Sequence, residues 1–360
     1  MKTRYLIVFL FWLPIVFMNA QKPFYGFERS PVFIQQTAVA DTFFGYGSDW
    51  KIKDGKRAFS RKIVLWDSNG EILKSMDISF LNEFNYEGNT YIGLTSGCYL
   101  SPDKRKIIIR GRNYQFQGDE IKTVIYAYDI ENDLWETLFY SKDYALGHIK
   151  FHPSDTTRFV AENLNDLSNS KIQLFEFENL NMSQQIKAYP MPGLPICVQF
   201  SEDGRHLFVF ESLSNGSGYM DVFETVNFTL LKRIAIKDHI ETVFENEKYF
   251  LFSGSFGAYI YSKNDFKFIK SISSDIQGII SPLNLAILGP AGADTEGALK
   301  IYNLSTHQIE KIPFDEPIYS HIYNYEKELL MGLLVKTDFI QESEDETIPT
   351  GFIYELNLKH

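Results

Sequence analysis

Residues 98–112 read Cys-Tyr-Leu-Ser-Pro-Asp-Lys-Arg-Lys-Ile-Ile-Ile-Arg-Gly-Arg, an apolar-rich run, a polar turn and a β-branched run. Pro102 holds the second position of the turn Ser101-Pro102-Asp103-Lys104, where its fixed φ suits a type I turn. Ile107, Ile108 and Ile109 are strand-prone. The same strand, turn and strand follow at residues 148–161 around His152-Pro153-Ser154-Asp155, and at 197–210 around Ser201-Glu202-Asp203-Gly204. A weaker copy occupies residues 241–252, and two more run at 278–288 and 320–334.

Each copy is followed by a second hairpin, clearest at residues 124–138, where Glu131-Asn132-Asp133 separates two apolar runs. An earlier hairpin at residues 62–74 turns at Asn69-Gly70, a strong hairpin cue. Two hairpins per unit predict a four-stranded antiparallel blade. The turn centres fall at 102, 153, 202, 246, 282 and 325, spaced 36 to 51 residues apart. That spacing suits propeller blades of roughly 40–50 residues. A β-sandwich would not need the same turn chemistry at the same place in every unit.

The expectation is therefore an all-β chain forming a single β-propeller over residues 21–360. An upstream unit, residues 32–46 with the hairpin at 63–74, brings the count to seven blades, or six if that unit is not a blade. Its first half reads as irregular, with a basic insertion at residues 51–61. The last unit, ending at residues 351–358, is one strand short. Residues 23–29 are predicted to supply that strand and close the ring, which removes open sheet edges.

Residues 1–20 read as a secretory signal peptide: Lys2 and Arg4, an apolar run, and a small residue, Ala20, at the exit. No cysteine follows, so a lipoprotein anchor is not expected, nor is a transmembrane segment after cleavage. The expected address is periplasmic or extracellular. Loss of residues 1–20 moves the formal charge from −11 to −13. An acidic surface argues against nucleic acid and anionic membranes as partners. The acidic run at residues 341–346 reads as a solvated loop, without the glycine turn of an EF-hand. The two cysteines, Cys98 and Cys197, lie on non-neighbouring units and are expected to be buried free thiols. Sequons at Asn181, Asn215, Asn227 and Asn303 carry no weight in an exported bacterial chain, which is how the leader reads.

The aromatic content, with 31 Phe and 21 Tyr, is accounted for by packing between blades. Rings in loops are the exception, and Tyr114 and Phe116, with Arg112, sit in a stretch read as a loop at residues 110–118. The longer connections at 162–169, 211–218, 289–295 and 337–350 share that face and add Asn163 and Asn215 as binding candidates. A second set, Thr95, His148, Pro195, Glu241, Gln277 and His321, begins the innermost strands at the channel mouth. His148, Glu241 and His321 are its chemically useful members. No nucleophile elbow, metal motif or phosphate loop is present: Ser253-Gly254-Ser255-Phe256-Gly257 lacks the first glycine of an elbow. No cofactor, metal or catalytic residue is expected.

The Ser-Pro-Asp-Lys and Ser-Glu-Asp-Gly turns, each leading into an apolar strand, resemble those of the WD-repeat-like propellers of bacteria. These include the TolB-type, surface-layer YVTN-type and lactonase-like groups. The resemblance spans residues 32–358 and is one of fold. A Trp-Asp ending survives only at Trp66-Asp67, and no lactonase or peptidase residue has a counterpart. Two functions remain open: an exported, non-enzymatic binding or scaffold module for a protein or glycan, and a lactonase- or lyase-like enzyme with its site at the channel mouth.

Overall fold

The computed structural model describes residues 18–27, 33–53, 56–165, 171–178, 180–190, 194–213, 217–289, 298–313, 318–334, 350–356 and 358. Among them there is no α-helix, only short 3₁₀ turns at Ser79–Asn82 and Ser281–Leu283. No helix of the described residues is long and apolar enough to cross a membrane.

The strands form seven four-stranded antiparallel blades, each a meander from an innermost to an outermost strand. Blade 1 is Phe33–Gln36, Phe43–Lys53, Lys56–Trp66 and Ile72–Asp77. Blade 2 is Asn89–Leu100, Lys106–Phe116, Asp119–Asp129 and Leu134–Ser141. Blade 3 is Leu146–His152, Asp155–Asn163, Lys171–Glu178 and Leu180–Pro190. Blade 4 is Leu194–Phe200, His206–Ser212, Gly218–Glu224 and Thr229–Ile236. Blade 5 is Ile240–Glu245, Tyr249–Gly254, Ala258–Ser262 and Phe268–Ile272. Blade 6 is Ile276–Ile280, Leu285–Leu288, Ala298–Asn303 and Ile309–Pro313. Blade 7 is Ile318–Asn324, Leu329–Leu334 and Gly351–Leu356, completed by Met18–Phe24.

The core shows why these strands make a ring. Successive side chains of a strand point to opposite faces. In blade 4, Phe208 and Phe210 pack toward Phe250 and Phe252 of blade 5, while Leu207 and Val209 pack toward Val160 and Leu174 of blade 3. The apolar clusters of the described residues number seven, one for each pair of adjoining blades, including blade 7 against blade 1. Strands buried on both faces read as near-continuous apolar runs, which is what Ile107–Ile109 and 207–210 are.

Polar hooks reinforce the same seams. Thr123 Oγ1 accepts the amide of Leu146 at 3.0 Å, and Ser253 Oγ accepts that of Ile276 at 2.8 Å, each joining one blade to the next. The side chain of Gln199 bridges to both backbone groups of Val243, at 2.5 and 3.2 Å. The outer edges of blades 2 and 3 also meet in a short parallel pairing, Phe139 with Leu180 and Tyr140 with Asn181.

Closure is by an N-terminal strand, as expected, but the strand is Met18–Phe24 rather than residues 23–29. It pairs with Gly351–Leu356 from Met18↔Leu356 to Phe24↔Gly351, so its start overlaps the expected leader exit at Ala20. Phe24 is fully buried against Trp66, and Lys327 Nζ lies 2.5 Å from Asp41 Oδ1 across the same seam.

Two expectations are corrected here. In the basic insertion, residues 51–53 and 56–61 are not irregular: they lie on two paired strands whose ladder runs from Phe43↔Trp66 to Lys53↔Lys56. The stretch 110–118 is not a loop either. The second and third strands of blade 2 run eleven residues each and meet in a two-residue turn, Gln117-Gly118, both at positive φ. A further strand, Glu83–Tyr86, joins through an equivalent turn at Glu87-Gly88 and pairs with the start of Asn89–Leu100. Blade 2 thus carries a small sheet beyond the end of its outermost strand.

Candidate functional site

In a meander of this kind the connections between second and third strands lie on the same face as those between blades. The short turns that carry the repeat lie on the other. The described strand ends from which the longer connections leave therefore share one face, and the extension of blade 2 rises from it.

At that face the innermost strands of blades 2 to 7 each break register with their neighbour. The breaks fall between Thr95 and Cys98, Gly147 and Lys150, Pro195 and Cys197, Ile240 and Thr242, Ile276 and Gly278, and Ile318 and Ser320. A bulge bends its strand and re-aims a side chain. His148, Glu241 and Gln277 occupy these bulges, so the fold gives them equivalent places at the channel mouth. His148 adopts a positive φ of 44° there. His321 lies beyond its bulge, opposite Gly332; its side chain lies outside the described residues.

His148 has company. Its Nε2 is 3.9 Å from Oε2 of Glu162, a buried residue of the neighbouring strand. Burial raises the Glu162 carboxyl above its ordinary pKa, partly offset by Arg110. Burial lowers His148, and the charges of Arg110 and Lys150 lower it further. Arg110 is fixed by donating from Nε to the backbone oxygen and hydroxyl of Ser96, at 3.2 and 3.1 Å, and from Nη1 to the backbone oxygen of Leu146 at 3.0 Å. Deeper in, the Lys150 ammonium lies over the Tyr99 ring, 5.5 Å from its centroid. Lys150 also faces Cys197, whose thiol is pushed up to about 12 by burial, with Glu241 adding to the rise. Both cysteines are free and buried. Glu241 itself is exposed and accepts a 2.9 Å hydrogen bond from Ser255 Oγ. Arg110, Lys150 and Glu162 as a group escape sequence reading; the one signal was a lysine where the other innermost strands carry Tyr99, Gln199, Phe244 and Ile279.

The loop-face candidates separate. Arg112 is exposed on the extension, opposite Leu94. Tyr114 is not a surface ring: it is fully buried, donates its hydroxyl to the Leu81 backbone oxygen, and packs on Phe84. It lies flat across the sheet because Gly93 and Gly111 beneath it have no side chain; a Cβ on either would collide with the ring. Phe116 is half-buried against Tyr91, 5.6 Å between centroids. Asn163 is turned inward, donating to Gln173 Oε1 at 3.3 Å and accepting the Asn165 amide at 3.0 Å. Asn215, residues 290–297 and residues 335–349, with the acidic run, lie outside the described residues.

The face also exposes apolar side chains. On the extension Tyr91, Gly93 and Thr95 turn inward and Ile92 and Leu94 outward, 56% and 58% exposed. Phe256, in the corresponding connection of blade 5, is 80% exposed. Among the described residues, no three His, Cys, Asp or Glu side chains are grouped as a metal ion would need. Elsewhere in blade 4, the fully buried Asp221 and Glu211 share Arg233, at 2.7 Å from Nε to Asp221 Oδ1 and 3.3 Å from Nη2 to Glu211 Oε1.

The solved structures most informative for comparison are propellers. The Dos1 propeller superposes with a TM-score of 0.56 at 10% identity, over 93% of this chain and 95% of that one. The likeness is one of fold. A chain of a mitotic checkpoint complex matches with a TM-score of 0.56 at 11% identity, over 99% of both chains. Sqt1 of Saccharomyces cerevisiae matches with a TM-score of 0.51 at 10% identity, over 87% of this chain and 82% of its own. No known protein-family model matches the chain, and no curated protein does.

Proposed function

We propose that this protein is an exported, non-enzymatic scaffold that presents its loop face to a protein partner. The observation that carries the reading is the blade 2 extension. It projects a sheet whose outward side places Ile92 and Leu94 beside Arg112. Apolar side chains held exposed on a rigid strand next to an arginine have the composition of an interface core. That one of the matched structures is a chain of a mitotic checkpoint complex agrees with a propeller serving in an assembly. Export rests on the leader-like residues 1–20 alone.

The test is capture from envelope extract by immobilised protein, comparing wild type with Ile92→Asp/Leu94→Asp and with Leu231→Asp on the outer strand of blade 4. The expected result is a discrete partner retained by wild type and the Leu231 variant, and lost by the double variant. Equal capture by all three, or none by wild type, would remove the loop face from consideration.

A further inference from the structure

The channel wall between blades 2 and 3 holds two polar groups that the fold leaves unanswered. The Tyr99 hydroxyl is buried and has no hydrogen-bond partner among the described residues. The Lys150 ammonium lies over the Tyr99 ring face and near the Cys197 thiol, with no carboxylate in ion-pair contact among the described residues. Both project from innermost strands, two residues before the repeat turns that begin at Ser101 and His152. A buried hydroxyl without a partner, and a desolvated ammonium without an anion, each cost free energy that an apolar side chain in the same place would not. Ring stacking recovers only part of that for the lysine.

The surroundings select the charge of an occupant. Arg110 lies close enough for its charge to act on both the Tyr99 phenol and Glu162, and its own hydrogen bonds run to neutral oxygens. Arg112 adds a second guanidinium beside it. Of the carboxyls around the group, Glu162 is shifted by burial toward its neutral form, and Glu241, whose charge acts on the same Cys197 that Lys150 faces, is exposed. In a chain of net charge −11 this is a local concentration of cations with an under-matched anion count.

We propose that Lys150 and Tyr99, backed by Arg110, form a binding site for a small oxyanion in the channel wall between blades 2 and 3. The ammonium and the phenol each donate to it, and the guanidinium supplies charge from the wall. The Tyr99 hydroxyl is closed off from solvent between two blades, so the occupant is a small phosphate, sulfate or carboxylate rather than a macromolecule. It is independent of any protein bound at the loop face.

The experiment is calorimetric titration of the purified protein with inorganic phosphate, sulfate and acetate at constant ionic strength, alongside thermal unfolding. Wild type should bind saturably and gain thermal stability. Preference for phosphate or sulfate would mark a tetrahedral oxyanion, and preference for acetate a carboxylate. Lys150→Met should weaken binding about tenfold or more, and Tyr99→Phe by a few-fold, as expected for charged and neutral hydrogen bonds. Lys150→Met should also unfold at a higher temperature than wild type when no oxyanion is present, because it removes an uncompensated buried charge. Lys248→Met, the same charge change on an exposed turn, should leave binding intact. Tyr99→Phe, which deletes one atom, decides the matter should the Lys150 variant not fold. Absence of saturable binding by wild type, or binding by Lys150→Met and Tyr99→Phe as tight as that of wild type, would overturn the proposal.

Discussion

Glu162 carries a carboxyl into the seam between blades 2 and 3, where its ladder partner is Gly147. The glycine makes the room: a Cβ there would come within 3.0 Å of Glu162 Oε2. Burial raises the folded pKa above the ordinary value of 4.5, so the folded state binds this proton more tightly than the unfolded chain. The stability so gained is fully present below pH 4.5 and is lost as pH rises through the folded value. At neutral pH the ionised group is a net cost, relieved only partly by Arg110. Glu162→Gln is therefore expected to raise the melting temperature at pH 7.5 and to match wild type at pH 4. A lower melting temperature at pH 7.5 would mean that attraction to Arg110 and His148 outweighs desolvation. His148 works in the opposite sense: its depressed folded pKa withdraws stability as pH falls below about 6.5. None of this could be read from the sequence, because it depends on which strands a bulge brings together. Tyr114 makes the same point. Its neighbours Arg112, Asn113 and Gln115 are polar and exposed, and only the two glycines facing it from other positions explain its burial.

The repeat turns, by contrast, were legible because their chemistry is local. In blade 2, Ser101 Oγ donates to Asp103 Oδ1 at 2.5 Å and accepts the Lys106 amide at 2.9 Å, while Asp103 accepts the Arg105 amide at 3.1 Å. In blade 4, Ser201, Asp203, Arg205 and His206 repeat every one of these bonds, at 2.7, 2.9 and 3.0 Å. Blades 5 and 7 do the work with one asparagine each: Asn246 accepts the amides of Lys248 and Tyr249, and Asn324 those of Glu326 and Lys327. What these four blades share is a short side-chain acceptor before the second strand, which explains why the copy at residues 241–252, with asparagine in place of Ser-x-Asp, reads as weaker. Ser201→Ala should cost about 1 kcal/mol, the usual net worth of such bonds, and Ser101→Ala about the same. The two sit in different blades, so their effects should add within about 0.5 kcal/mol in denaturant unfolding. A double variant much worse than the sum would mean that the turns communicate around the ring. The blade 2 extension was missed at this scale for a definable reason. Asn113, at φ 55°, is an extra residue in the ladder between Arg112 and Tyr114, and it breaks the alternation on which strand reading relies. The Glu87-Gly88 and Gln117-Gly118 turns were the signal available, since two-residue hairpins favour a glycine at positive φ.

At the scale of the molecule, a ring is only as sound as its last joint. The need for a closing strand followed from counting: the final unit had three strands and a sheet edge to hide. Its position did not, because the register is set by contacts absent from the strand itself. Phe24 is anchored between Trp66 of blade 1 and Gly351 of blade 7, and a Cβ on Gly351 would touch its ring. Thr350 ties the joint from the other chain end, donating its amide to the Phe24 backbone oxygen at 2.8 Å and accepting the Phe27 amide at 3.0 Å. Cleavage after Ala20 would remove Met18 and Asn19 from the ladder but keep the pairs made by Lys22, Pro23 and Phe24. A chain beginning at Gln21 should accordingly melt close to the full-length protein. A chain beginning at Tyr25 loses a fully buried phenylalanine, worth about 3–5 kcal/mol by truncation, together with its share of the ladder. At a few degrees per kcal/mol for a domain of this size, its melting temperature should fall by about 10 °C or more. It should also self-associate, since Gly351–Leu356 then presents an unpaired edge. Light scattering and thermal unfolding of the two truncations side by side check both parts. Equal melting of the two chains would show that the ring is held by the blade 7 to blade 1 core and the Lys327–Asp41 contact without its fourth strand.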